Sequence, residues 1–155
     1  MSRQAIPPRS AAAFLATLLL AGGCAQTNDQ SAPTIESARI ALPAAPGVPA
    51  AGYFTVTGGA GDRLLAASSP EAERIEMHET ASDARGVTSM RPLGPVPLDG
   101  GVTTFQPAGR HLMIHGLRGD LQAGGRVPLT LRFERAAEVI VQADLVAPGQ
   151  AHGGH

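Results

Sequence analysis

The sequence predicts an all-β domain, a Greek-key β-sandwich or barrel of about eight or nine short strands. Short segments in which apolar and polar residues alternate recur after residue 33, which is the periodicity of a half-buried strand. The 19 glycines and 13 prolines fall largely between those segments. No segment shows a convincing helical stripe. With one Tyr, no Trp and four Phe, the core is predicted to be built mainly from aliphatic side chains.

Nine segments are predicted as strands, in the order 35–42, 50–57, 63–68, 72–78, 87–93, 103–106, 111–117, 127–133 and 137–145. Their close spacing is typical of a sandwich or a small barrel. Glycine-rich turns at 58–62, 99–101 and 107–109 supply the positive-φ residues that tight reversals need. The predicted domain therefore spans residues 34–146, and the Gly-rich tail 147–155 is too polar to pack.

The N-terminus has the pattern of a targeting segment. Two arginines precede an apolar run at 11–21, which is too short for a permanent membrane span and has the length of a signal-peptide core. The run ends at Ala21-Gly22-Gly23-Cys24, which resembles a lipobox, so we expect residues 1–23 to be removed and Cys24 to be lipidated. The alternative is a free thiol just past an ordinary cleavage site. Residues 24–33 are predicted to form a flexible tether.

Several classes of partner and site are disfavoured by composition. The twelve basic residues are all Arg, against 13 acids, and no basic stripe is available for phosphates, so no nucleic-acid binding is expected. Cys24 is the one cysteine of the chain, and lipidation would consume its thiol. A soft-metal site in the exported domain would therefore have to use Met and His.

One strand carries three such donors. In the segment 111–117, alternation places His111, Met113 and His115 on one face and Leu112 and Ile114 on the other, core-facing side. A second interpretation stays open, in which Met113 packs on an outer face and the histidines are ordinary surface residues.

A second group of donors is expected from a hairpin that turns at residues 81–86. It would bring His78 and Met90 near each other, and neither residue is required by the core pattern. Met77 alternates with Ile75 and is assigned to the core. The flanking Glu76 and Glu79 are interpreted as solvated charges, since carboxylates prefer harder cations.

Taken together, His78, Met90, His111 and Met113 resemble the metal motif of the PCuAC family of periplasmic copper chaperones. The resemblance runs from about residue 38 to 145, with matching stretches at 51–56, 77–80, 90–93, 111–117 and 127–134. The spacing departs from the family pattern by one residue on each side of Met90, and His115 stands where the family often has Met.

The resemblance implies a cupredoxin-like fold and a copper chaperone that is not an enzyme. It implies that these four residues bind Cu(I) and deliver it toward the dinuclear copper centre of cytochrome c oxidase. The acceptor would be the copper-bearing oxidase subunit or a Sco-type thiol protein. The protein would be exported, lipid-anchored on the outer side of the cytoplasmic membrane or in the periplasm, and in contact with the membrane through its lipid.

Three further candidate ligands are His115 and the two tail histidines, His152 and His155. The tail is expected to hold Cu(II) or to relay metal, and the alternative is a terminus whose histidines have no role. Among functions, copper sequestration or resistance without a dedicated acceptor is the runner-up. A copper reductase or oxidase would need an open coordination position, and a metal-free adhesive sandwich would bind no copper.

Overall fold

A computed structural model describes residues 32–150, and the regular structure in this range consists of ten β-strands. They are β1 (Thr34–Ala41), β2 (Ala50–Thr57), β3 (Arg63–Ser68), β4 (Arg74–Ser82), β5 (Thr88–Pro92), β6 (Val96–Pro97), β7 (Val102–Phe105), β8 (Arg110–His115), β9 (Arg126–Phe133) and β10 (Val139–Val146). The predicted all-β class is confirmed. Nowhere in residues 32–150 is there a helix with the length and hydropathy that a membrane span requires.

The strands form one sheet in the order β5-β4-β8-β2-β1-β10-β9-β3-β6, and β7 pairs with β2 beside β8. Every pairing is antiparallel except that of β1 with β10. The strands β3 and β4 lie near opposite ends of this order but contact each other, so the sheet curls around one core. The long crossings between neighbouring strands are those of a Greek-key barrel rather than a simple meander.

Two details of the strand prediction are wrong. The strand β6 was missed because two residues are too few to show alternation, and one of them, Pro97, belongs at a sheet edge. The strand β4 was predicted to end at His78 but continues to Ser82, since its pairing with β5 extends past the core to the pair Ser82 and Thr88. The predicted hairpin between these strands is present, with its turn moved to residues 83–87.

The core is aliphatic around one aromatic pair. Phe54 and Phe105 stack with ring centroids 4.4 Å apart and an interplanar angle of 15°. Leu112 and Ile114 of β8 are almost fully buried, as the alternation predicts, and Met77 of β4 packs in the same core.

Gly52 allows the neighbouring strands β2 and β8 to pack closely. A Cβ at position 52 would lie 3.0 Å from Cβ of Leu112 and 3.2 Å from Cδ1 of Ile114. A side chain there would push β8 outward, so glycine at this position fixes where the His- and Met-bearing strand lies.

Asp62 is a buried carboxylate that ties the start of β3 to the turn after β9. Its Oδ1 accepts hydrogen bonds from the backbone N–H groups of Arg63 (2.7 Å) and Arg135 (3.0 Å), and its Oδ2 accepts one from Ala136 (2.8 Å). Burial by itself raises the pKa of Asp62, but the backbone donors outweigh it and hold the pKa below its usual value.

Replacing Asp62 by asparagine should lower the free energy of unfolding by about 1.5–3 kcal/mol at neutral pH, because an amide NH₂ cannot accept these N–H groups. Urea unfolding measures the loss. Asp99→Asn is a suitable control, since within residues 32–150 the exposed Asp99 accepts a hydrogen bond from Gly101 alone, and its replacement should cost less than about 0.5 kcal/mol.

The same variant should alter the acid sensitivity of the protein. A carboxyl whose pKa is depressed on folding stabilises the folded state above its unfolded pKa of about 3.9, and this stabilisation is lost as the pH falls through the lower folded value. The stability difference between the wild type and Asp62→Asn should therefore be constant near neutrality and narrow below about pH 4. A difference that grows in acid would contradict this role for Asp62.

Candidate metal site

The two strands that carry the candidate histidines lie side by side. In the antiparallel pairing of β4 with β8, His78 stands directly opposite His111. Their imidazole rings have centroids 6.2 Å apart and are tilted by 41°. Since imidazole nitrogen binds transition metals at about 2 Å, an ion between the two rings can be reached by one nitrogen of each.

The two methionines lie on the same face of the sheet as these histidines. Met113 stands opposite Glu76, and Met90 of β5 stands opposite Thr80. Directly paired residues share a face, so each methionine is a diagonal neighbour of His78, and such neighbours are typically roughly 7–8 Å apart. Met113 is half-buried, whereas Met90 is 54% exposed on the outermost strand. The register thus brings all four predicted ligands to one patch, with Met90 at its edge.

The histidine nitrogens differ in their hydrogen bonds. Nδ1 of His111 lies 2.9 Å from the backbone carbonyl oxygen of Gly109, to which it donates. Nε2 of His78 lies 3.3 Å from Oε2 of Glu76. Nδ1 of His78 is buried and has no hydrogen-bond partner within the described residues. A buried nitrogen without a partner is a feature that a bound ion would satisfy.

His115, the third donor of the β8 stripe, lies at the end of the strand opposite Arg74. Its Nε2 lies 3.3 Å from Oε2 of Glu76, the oxygen that also lies 3.3 Å from Nε2 of His78. Within residues 32–150, however, Nε2 of His115 makes no hydrogen bond. On its other side His115 borders a groove of about 550 Å³ between the segments 42–49 and 115–121. It therefore lies between the four-residue patch and this groove.

Glu76 and Glu79, interpreted from the sequence as solvated charges, keep some solvent exposure but also form specific contacts. Glu76 is half-buried and contacts His78, His115 and Arg74, while Glu79 pairs with Arg91 at 2.7 Å and with Arg110 at 3.7 Å. The sequence held a signal for Glu76, because alternation within β4 puts it on the same face as His78.

The surroundings of Glu76 keep it ionised. Partial desolvation alone would raise the pKa of its carboxyl, but the hydrogen bond with His78 and the positive charge of Arg74 outweigh it and hold the pKa below its usual value. An ionised carboxylate can only accept hydrogen bonds, so in the bond between these two residues the imidazole of His78 is the donor and Glu76 is the acceptor.

Three predicted residues lie outside the described part of the chain: Cys24, His152 and His155. Across residues 32–150, no three or more His, Cys, Asp or Glu side chains are arranged to hold a metal ion. The candidate ligand set has only two residues of these types, His78 and His111. Its other two members are the thioethers of Met90 and Met113.

Comparison with known proteins identifies the family. Residues 33–145 match the model of the family described as "Putative lipoprotein LpqE-like". The chain belongs to the LpqE-like family. A "putative lipoprotein" of Leifsonia xyli subsp. xyli is 31% identical to this LpqE-like protein over 71 residues, which are 45% of this chain and 43% of that protein. The match therefore spans less than half the length of this curated relative.

Solved structures share the fold of this LpqE-like protein. The apo PCuAC domain from PmoF1 superposes with a TM-score of 0.59 at 24% identity, covering 75% of this chain and 94% of that domain. The copper-bound PCuAC domain from PmoF2 gives 0.57 at 24% identity, with coverages of 75% and 93%. The Cu(I) form of DR1885 from Deinococcus radiodurans gives 0.55 at 26% identity, with coverages of 73% and 76%. The predicted resemblance to the PCuAC family and the cupredoxin-like fold are confirmed.

Proposed function

We propose that this LpqE-like protein is an extracytoplasmic copper chaperone that carries Cu(I) on His78, Met90, His111 and Met113. The observation that carries the proposal is the register of β4 and β8, which sets two imidazoles face to face with both thioethers on the same side of the sheet. The copper-bound forms of PmoF2 and DR1885 support copper as the cargo of this fold.

The donor set suits Cu(I). Thioether sulfur is soft and uncharged, so methionine selects Cu(I) over hard divalent competitors, and imidazole adds affinity in either oxidation state. Four neutral donors leave the ion with its full positive charge, so the thiolates of an acceptor protein can remove it. Such a site can both protect the Cu(I) ion during transport and release it to an acceptor, and this role requires no catalysed reaction.

The proposed destination of the copper is the dinuclear centre of cytochrome c oxidase, by way of its copper-bearing subunit or a Sco-type thiol protein. Transfer is measured by mixing the Cu(I)-loaded chain with each purified acceptor and following the metal. A chain that keeps its copper in the presence of both acceptors would be a sequestration protein instead.

Binding itself is tested by an anaerobic Cu(I) titration in competition with a chromophoric Cu(I) chelator. We expect one Cu(I) ion per chain to be withheld from the chelator at the main site. A chain that withholds none would be a metal-free β-domain, and the proposed function would fail.

We assign a separate role to the C-terminal tail, where His152 and His155 offer nitrogen donors that Cu(II) accepts readily. Deleting residues 151–155 should leave the Cu(I) stoichiometry unchanged and should remove or weaken a Cu(II) signal in electron paramagnetic resonance. Identical Cu(II) spectra and stoichiometries with and without the tail would instead point to His115 at the main site.

A further inference from the structure

We propose that Glu76 is a positioning residue that fixes the tautomer of His78, so that His78 presents Nδ1 to the copper ion while His111 presents Nε2. The inference deepens the proposed function and rests on it for the identity of the ion. It concerns which atom of each histidine meets the metal and which neighbouring side chain makes that choice.

The choice at His78 follows from its two nitrogens. Nε2 lies 3.3 Å from Oε2 of Glu76 and donates a hydrogen bond to that oxygen, so the proton is on Nε2. Nδ1 is buried without a hydrogen-bond partner in the described part of the chain, so a proton on Nδ1 would have no acceptor. A neutral imidazole carries one proton, and with that proton on Nε2 the lone pair of Nδ1 is available to an ion.

His111 has the opposite tautomer, and a backbone carbonyl group fixes it. Nδ1 of His111 donates to the carbonyl oxygen of Gly109 at 2.9 Å, which leaves the lone pair on Nε2. No hydrogen bond from Nε2 of His111 occurs among residues 32–150. Metal-bound histidines commonly donate their second ring N–H to a carboxylate or a carbonyl, and the two histidines here use one of each.

The Glu76 carboxylate is itself held in place. Its Oε1 lies 3.4 Å from a guanidinium nitrogen of Arg74, and its Oε2 lies 3.3 Å from Nε2 of both His78 and His115. With one oxygen engaged by Arg74, the other is directed toward the histidines. Arg74 and His115 stand opposite each other across β4 and β8, so the same register that forms the site also orients Glu76.

The test begins with the apo full-length chain labelled with ¹⁵N, in which long-range ¹H–¹⁵N spectra show which ring nitrogen of each histidine is protonated. We expect the proton on Nε2 of His78 and on Nδ1 of His111. Glu76→Ala should give His78 a mixture of tautomers while His111 stays unchanged as an internal control. A proton on Nδ1 of His78 in the wild type, or an unaltered His78 in Glu76→Ala, overturns the proposal.

The conservative variant separates positioning from charge. Glu76→Gln keeps an oxygen that can accept the Nε2 proton, so it should largely retain the wild-type tautomer, whereas Glu76→Ala should lose it. Cu(I) affinity should fall about 10- to 100-fold in Glu76→Ala and less in Glu76→Gln. Glu79→Ala removes an equal charge from the opposite face of β4 and should leave the His78 tautomer unchanged. If the Gln and Ala variants change the His78 tautomer and the Cu(I) affinity equally, the negative charge of Glu76 is responsible and its hydrogen bond to His78 is not.

Adding Cu(I) separates this inference from the proposed function. Cu(I) should shift the ¹⁵N resonances of Nδ1 in His78 and Nε2 in His111. Copper that binds and shifts Nε2 of His78 overturns the positioning role while the chaperone function stands. If no Cu(I) is retained, the proposed function fails, and the apo spectra of the wild type and Glu76→Ala still decide whether Glu76 sets the tautomer.

Discussion

Replacing Met113 by alanine is expected to weaken Cu(I) binding by more than about 100-fold, because even residues that only support metal ligands cost 10- to 100-fold when removed. Met113 lies on the face that carries His78 and His111, and it is half-buried there. The loss is measured by competition with a Cu(I) chelator under anaerobic conditions. The fold should be little affected, since the side chain does not belong to the main core.

Met77→Ala is the matched control, one residue away from His78 and on the opposite face. Met77 packs in the core with Leu112 and Ile114, so its truncation should lower the free energy of unfolding by about 2–5 kcal/mol. Where the variant remains folded, its Cu(I) affinity should stay close to that of the wild type. Equal losses of Cu(I) affinity in the two variants would contradict the assignment of Met113 and Met77 to different faces.

Changing Cys24 to serine is expected to release the protein from membranes altogether. We propose that Cys24 is the point of lipid attachment, and each acyl CH₂ group buried in the bilayer contributes about 0.8 kcal/mol, so losing the chains removes the anchor. Membrane fractionation followed by high-salt washing measures the effect. The LpqE-like family membership and the Leifsonia relative support an exported lipoprotein.

Ala25→Ser is the control for this experiment, because it introduces the same side chain one residue later and leaves the cysteine in place. It should sediment with membranes as the wild type does. If Cys24→Ser lacks residues 1–23 and still sediments after washing, the lipid anchor is placed wrongly.

Much of the candidate site could be predicted because strand periodicity is a local property. Successive side chains point to opposite faces, so the sequence alone separates Leu112 and Ile114 from His111, Met113 and His115. The same argument put Met77 in the core, where it lies. The predicted hairpin brought His78 and Met90 together as donors, the resemblance to the PCuAC family implied that they are ligands, and the register shows that both lie on the face of His111.

The contact of Glu76 with His115 could not be predicted in this way. Its position in β4 gives its face and its same-strand neighbour Arg74, but the approach of His115 depends on how β4 is paired with β8, about 40 residues further along the chain. Carboxylates are poor ligands for soft copper, so Glu76 was not expected at the site. A carboxylate that orients an imidazole does not bind the ion itself, and ligand preferences do not predict it.

The sequence by itself determined the all-β class, the aliphatic core and the face on which each donor of β8 lies, because these follow from composition and from a period of two along the chain. The tertiary structure decided the order of strands in the sheet, the short strand β6 and the placing of His78 opposite His111. Pairing register is set by contacts between distant segments, and a slip of one residue would turn every side chain of β4 to the other face. Packing of the core against Met77 and Leu112 selects the one register in which the histidines and methionines meet.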